Sequence, residues 1–85
     1  MNYTVIWTAV AQQRLAAAWL AAADRNAVTA ASHRIDQVLA ADPLNFGESR
    51  ASSVNRIGYV PPLGFTFDVV VDDQTVYVTA VWLTA

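Results

Sequence analysis

The feature that most constrains this chain of 85 residues is the separation of its helix-forming and strand-forming sequence. One short strand-like segment comes first. Two helical segments follow without a break, and the remaining strands come after them. Contiguous helices followed by contiguous strands define an α+β domain, with each layer burying one face against the other. The chain is short enough for one domain, residues 1–85, with one modest core.

The segments can be bounded. Tyr3 to Trp7 alternates and is rich in aromatic and β-branched residues, so it reads as a strand. Tyr3, Val5 and Trp7 fall on one face, with Thr4 and Ile6 on the other. Thr8 is suited to cap the alanine-rich helix Ala9 to Ala23, whose inner stripe is Ala11, Leu15, Ala18 and Ala22, with Trp19 beside it. Asp24 caps a second helix, Arg25 to Ala41, with an apolar stripe of Val28, Ala31, Ile35, Val38 and Leu39. Asp42-Pro43 ends it, because a residue before proline disfavours the helical region. The short link around Asp24 predicts an antiparallel helical hairpin.

Leu44 to Ser53 reads as a loop with a short strand near Arg50. Val54 to Val60, Leu63 to Val71 and Thr75 to Leu83 read as three strands of an antiparallel meander. Pro61-Pro62 and Asp72-Asp73-Gln74 supply the turns. In the second of these strands Phe65, Phe67, Val69 and Val71 share a face, and in the third Val76, Val78, Ala80 and Trp82 do. The order is β-α-α-β-β-β, with the helical hairpin packed on one face of the sheet. The first strand is expected at an edge or beside the last strand.

Composition limits the chemistry. No cysteine is present, so disulfides and thiolate metal sites are excluded, and a single His33 cannot build a zinc site. No cofactor is implied. The chain is 55% hydrophobic and only 14% charged, which predicts apolar surface covered by a partner. It has no lysine and a net charge of −2, so it lacks the basic stripe of a strong nucleic-acid binder. The N-terminus lacks a basic leader region, and Ala9 to Ala23 is too short and too polar for a membrane span. A cytoplasmic protein is expected.

The candidate chemical groups are few. His33 belongs on a solvated helix face, and Asp72 and Asp73 belong to a turn. Asp68 points away from the core face, solvated or paired with an arginine. Arg50 and Arg56 are the only arginines in the second half of the chain. Their planar guanidinium forks suit phosphate or carboxylate, or else they brace the Gly47–Ser53 loop. Tyr3, Trp7, Tyr59, Tyr77 and Trp82 are the aromatics that could stack on bases, although most aromatics in a small domain are core. Tyr59, just before Val60-Pro61-Pro62, is the one expected to be partly exposed.

The order of elements, with Tyr3-Thr4-Val5-Ile6-Trp7-Thr8, Asp42-Pro43-Leu44, Gly47-Glu48-Ser49-Arg50, Arg56, Pro61-Pro62-Leu63 and Val81-Trp82, resembles the RelE/ParE toxins of bacterial type II toxin–antitoxin systems. The resemblance covers essentially the whole chain. It implies a growth-inhibiting toxin neutralised by a cognate antitoxin protein in a hetero-oligomer. It also implies one of two targets: translation, through ribosome-dependent mRNA cleavage, or DNA gyrase, inhibited without catalysis. A third reading is a catalytically inactive member that acts only as a binding module.

In the nuclease reading, Arg56 matches a basic position on the first strand of the meander, and Arg50 joins it as the other catalytic candidate. Arg50, Arg56, Tyr59 and Trp82 are then the partner or RNA contacts. The next basic position falls near Phe65-Thr66 and the C-terminal basic cluster at Leu83-Thr84-Ala85, and neither is basic here. An arginine is a poor base, so one or two arginines cannot supply both proton removal and charge stabilisation.

Overall fold

The structure is a computed structural model, and it describes residues 2–49 and 55–84. Strand β1 (Thr4–Trp7) leads into helix α1 (Ala9–Ala21) and helix α2 (Arg25–Ala41). A single 3-10 turn (Pro43–Asn45) and a two-residue strand β2 (Glu48–Ser49) precede β3 (Asn55–Val60), β4 (Leu63–Val70) and β5 (Thr75–Leu83). The predicted α+β order is present; β2 is the short strand expected near Arg50, and the 3-10 turn is added where the loop begins. Helix α1 ends two residues early. Ala22 turns to an extended conformation, although its N–H still bonds the carbonyl of Ala18. Val54 lies outside the described residues.

Both helix starts follow from their caps. The Thr8 side chain accepts a bond from the Ala11 amide, and the Asp24 side chain accepts one from the Ala27 amide. Along α1, Ala11 and Ala18 are buried, and Leu15 and Ala22 pack on the core beside them. Their small side chains bring the helix close to β5, its main partner in the sheet. Along α2, Val28, Ala31, Ile35 and Leu39 are buried at helical spacing. Leu15 lines a pocket with Ser32 and Asp36, while Arg25 at the start of α2 donates to the Trp19 and Leu20 carbonyls at the end of α1, so the two helices run antiparallel as expected.

The five strands form one sheet in the order β1-β5-β4-β3-β2. Only β1 is parallel to its neighbour; the pairs β5–β4, β4–β3 and β3–β2 are antiparallel. The first strand therefore lies both at an edge and beside the last strand. The helices cover one face, where Phe65, Phe67, Val69, Val76, Val78 and Val81 are all buried. Burying each large apolar side chain contributes roughly 1.5–3 kcal/mol, so this face is the main source of stability.

Two expectations about the strands need correction. Val71 lies beyond the end of β4 and is exposed. The face assignment of β5 holds for Val76 and Val78 and then inverts. Phe67 pairs with Val78 but Thr66 pairs with Ala80, so Thr79 is an extra residue. Such a bulge places two residues opposite one and shifts the alternation. Val81 consequently points into the core at 2% exposure, and Ala80 and Trp82 turn to the opposite face. None of the described helices is long and apolar enough to cross a membrane.

Candidate functional site: the open face of the sheet

Beyond an outermost rung of Thr4, Thr75 and Val70, the face of the sheet away from the helices carries three rungs of side chains. Residues directly opposite in neighbouring strands share a face, so the pairing fixes each rung. Ile6, Tyr77, Asp68 and Asn55 form the first rung. Ala80, Thr66 and Ile57 form the second, with Thr79 joining at the bulge. Trp82, Gly64 and Tyr59 form the third.

The third rung is an aromatic shelf. The rings of Tyr59 and Trp82 meet edge to face, with centroids 6.4 Å apart at 83°. Gly64 lies between them in the register, and a Cβ there would stand 2.6 Å from the Trp82 indole nitrogen. The absence of a side chain lets the indole lie across β4. Tyr59 is 57% exposed, the largest aromatic exposure among the described residues.

The second rung is polar but closed. The Thr66 and Thr79 hydroxyls are 2.8 Å apart, and the Thr79 hydroxyl also approaches the Thr66 carbonyl at 3.2 Å. Thr66 is buried, so these hydroxyls satisfy each other rather than water. The bond lies at the bulge beyond which Trp82 turns outward. In the first rung the Asn55 side-chain amide donates to Asp68 Oδ1 at 2.6 Å.

The structure unites part of the predicted site and separates the rest. Tyr59 and Trp82 come together on this face. Arg56 pairs with Phe67 across β3 and β4, so it shares the helix-covered face and lies opposite the aromatic shelf. Its Nε is buried and has no hydrogen-bond partner among the described residues. Arg50 lies outside the described residues. Of the other aromatic candidates, Tyr3 and Trp7 pack against the core, and the Trp7 indole donates to Asp36 Oδ1 at 2.7 Å. His33 is exposed on α2, and Asp72 and Asp73 are exposed at the turn.

Strict alternation along β5 places Trp82 on the face of Val76 and Val78, and the bulge turns it to the open face beside Tyr59. Asp68 lies off the core face, as its alternation with Phe67 and Val69 predicts. The signal was present in the spacing: Val76, Val78, Val81 and Leu83 are aliphatic, and the step from 78 to 81 marks the extra residue.

A second apolar feature lies on the helical side. Leu15, Ala16, Trp19, Leu20 and Val28 line a groove of about 450 Å³ between α1 and α2. The Arg25 guanidinium stands 4.8 Å from the Trp19 ring centroid at one end.

No protein-family model matches this chain, and no curated protein sequence matches it. Solved structures do. A chain of the RelBE2 toxin–antitoxin complex from Mycobacterium tuberculosis aligns over 98% of this chain and 99% of its own length, at 18% identity and a TM-score of 0.79. The isolated E. coli RelE toxin aligns over 98% of this chain and 85% of its own, at 12% identity and a TM-score of 0.71. A chain of the intact E. coli RelBE complex aligns over 98% of both, at 12% identity and a TM-score of 0.69. With helices on one face of a mixed sheet, an open face opposite and these end-to-end superpositions, the chain has the RelE toxin fold.

Proposed function

We propose that this chain is the toxin component of a type II toxin–antitoxin pair, held in check by a cognate antitoxin protein. The supporting observation is the length match with the toxin–antitoxin structures, in which this chain and the matched chain cover each other almost completely. Apolar surface that none of the described elements covers agrees with a bound partner: Leu20 is 64% exposed and Tyr59 57%. The target of the first reading is translation, through ribosome-dependent cleavage of mRNA.

One observation favours a second reading. Among the residues whose side chains are described, the open face has no cation, and the cations Arg14, Arg25 and Arg34 are on the helices. An RNA-cleaving site needs charge to meet the phosphate in its transition state. Inhibition of DNA gyrase, or a purely binding role without catalysis, needs none.

Inducible expression in a bacterial host separates these readings. Expressed alone, the protein is expected to stop growth, and co-expression of the adjacent partner gene is expected to restore it. Cleaved mRNA on stalled ribosomes supports the nuclease reading. Intact mRNA with loss of supercoiling in a gyrase assay supports the second. In the nuclease reading Arg56→Met abolishes cleavage. It leaves stability within about 1 kcal/mol, because it removes a buried donor that lacks a partner. Unimpeded growth without the partner gene would overturn the toxin assignment.

A further inference from the structure

We propose that the open face binds a segment of the partner protein that sets an apolar side chain on Tyr59 and Trp82 and a basic side chain on Asp68. This rests on the reading that a partner protein covers this fold, and it states what that partner presents.

Three observations converge. The aromatic shelf, with Tyr59 exposed and Trp82 half-buried, is held open by Gly64, so an apolar side chain gains contact there without displacing a protein group. Asp68 is the only charge on this face among the described side chains, and Arg56, the one described arginine of the sheet, lies on the opposite face. The described side chains of this face therefore offer no cation to a polyanion, whose affinity depends on neutralising phosphates. Asp68 is also oriented in advance: it is partly buried, and Asn55 holds Oδ1 at 2.6 Å. A fixed, partly desolvated carboxylate forms stronger charge-assisted hydrogen bonds than a free surface one.

The register gives the spacing. Asp68 and Gly64 lie four residues apart on one strand, about 13–14 Å. An extended segment meets both points when its apolar and basic side chains are also about four residues apart, since that spacing returns to the same side. The Thr66–Thr79 pair between them is already satisfied and makes no demand on the segment.

The three tryptophans allow a direct test on the intact chain. Their indole N–H signals report three places: Trp7 beside Asp36, Trp19 under Arg25, and Trp82 on the open face. The probes are a short synthetic peptide with leucine and arginine at the stated spacing, the same peptide with glutamate for arginine, and a short single-stranded oligouridylate. The arginine peptide is expected to shift the Trp82 signal and to bind about tenfold tighter than the glutamate peptide. Asp68→Asn is expected to erase that preference while the leucine contact at Trp82 persists, and its spectrum shows at once whether the fold is kept. Equal binding of both peptides overturns the proposal. So does a response at Trp19 instead, which would assign docking to the interhelical groove, and so does a shift of Trp82 by the RNA but not by the arginine peptide. The growth assay stays separate. A harmless chain that retains the arginine preference loses the toxin reading alone, and a toxic chain without the preference loses this proposal alone.

Discussion

At Gly64, one hydrogen in place of a side chain sets the shape of the open face. A methyl there meets three indole atoms of Trp82 at 2.6–2.9 Å. The ring can swing away, so Gly64→Ala is expected to fold, to cost about 1–3 kcal/mol and to break the Tyr59 contact. Gly47 is a harder case. Its φ is +72°, and an added Cβ would lie 2.3 Å from the Ile57 carbonyl oxygen, a backbone atom with no freedom to move aside. Gly47→Ala is therefore expected to cost more than Gly64→Ala. Urea denaturation of both variants checks the order, and near-ultraviolet circular dichroism should change strongly only where the indole moves. A larger loss at Gly64 would mean that the Trp82 ring is wedged in place. The same two residues show how unevenly the sequence could be read. Gly47 stood in a stretch already marked as a loop, whereas Gly64 could not be linked to Trp82 until the register across β4 and β5 was known.

Among the elements, the helical hairpin is closed by one side chain from its second member. Arg25, the first residue of α2, donates through Nε to the Trp19 carbonyl and through Nη2 to the Leu20 carbonyl, both at 3.2 Å. Those carbonyls belong to the last turn of α1, which has no basic residue of its own. The same guanidinium lies against the Trp19 ring. Arg25→Ala removes two hydrogen bonds to orphan carbonyls and an exposed cation–π contact, with an expected loss of about 1–2 kcal/mol. Arg25→Lys is expected to recover less than half of it, because a single ammonium cannot serve two carbonyls and a ring face together. Thermal unfolding of the two variants tests this, and full recovery by lysine would rule out the fork geometry as the cause. The helix starts were legible, since Thr8 and Asp24 are local caps read from neighbouring residues. The Arg25 latch was not, because it depends on how α2 turns back against α1. In β5 the alternation was legible through Val78. Beyond it the bulge exchanged faces, and the Thr66–Thr79 hydroxyl pair that accompanies it is a long-range contact across two strands.

For the molecule as a whole, charge and sheet edges decide what can approach. The outer edge of β1 is closed at both ends: Ala40 accepts from the Tyr3 amide at 2.8 Å, and the Gln12 side chain donates to the Trp7 carbonyl at 3.0 Å. These contacts protect the edge from pairing with another chain, so the uncovered faces, rather than this edge, are where a partner gains area. The charge argument then yields a measurement. The second half of the chain has two arginines, Arg50 and Arg56, and no lysine. If both met phosphates, counterion release on single-stranded RNA would give a slope of log affinity against log salt no steeper than about −1.4, at roughly 0.7 per neutralised phosphate. Titration of a fluorescent RNA oligonucleotide at several salt concentrations reads this slope. A slope near −1.4 or shallower leaves RNA affinity to be supplied by the ribosome or by nothing at all. A slope well beyond −2 would require Arg14, Arg25 or Arg34 to join, which would move the contact surface from the sheet to the helices. The salt slope therefore locates the RNA-facing side of the molecule independently of any cleavage assay.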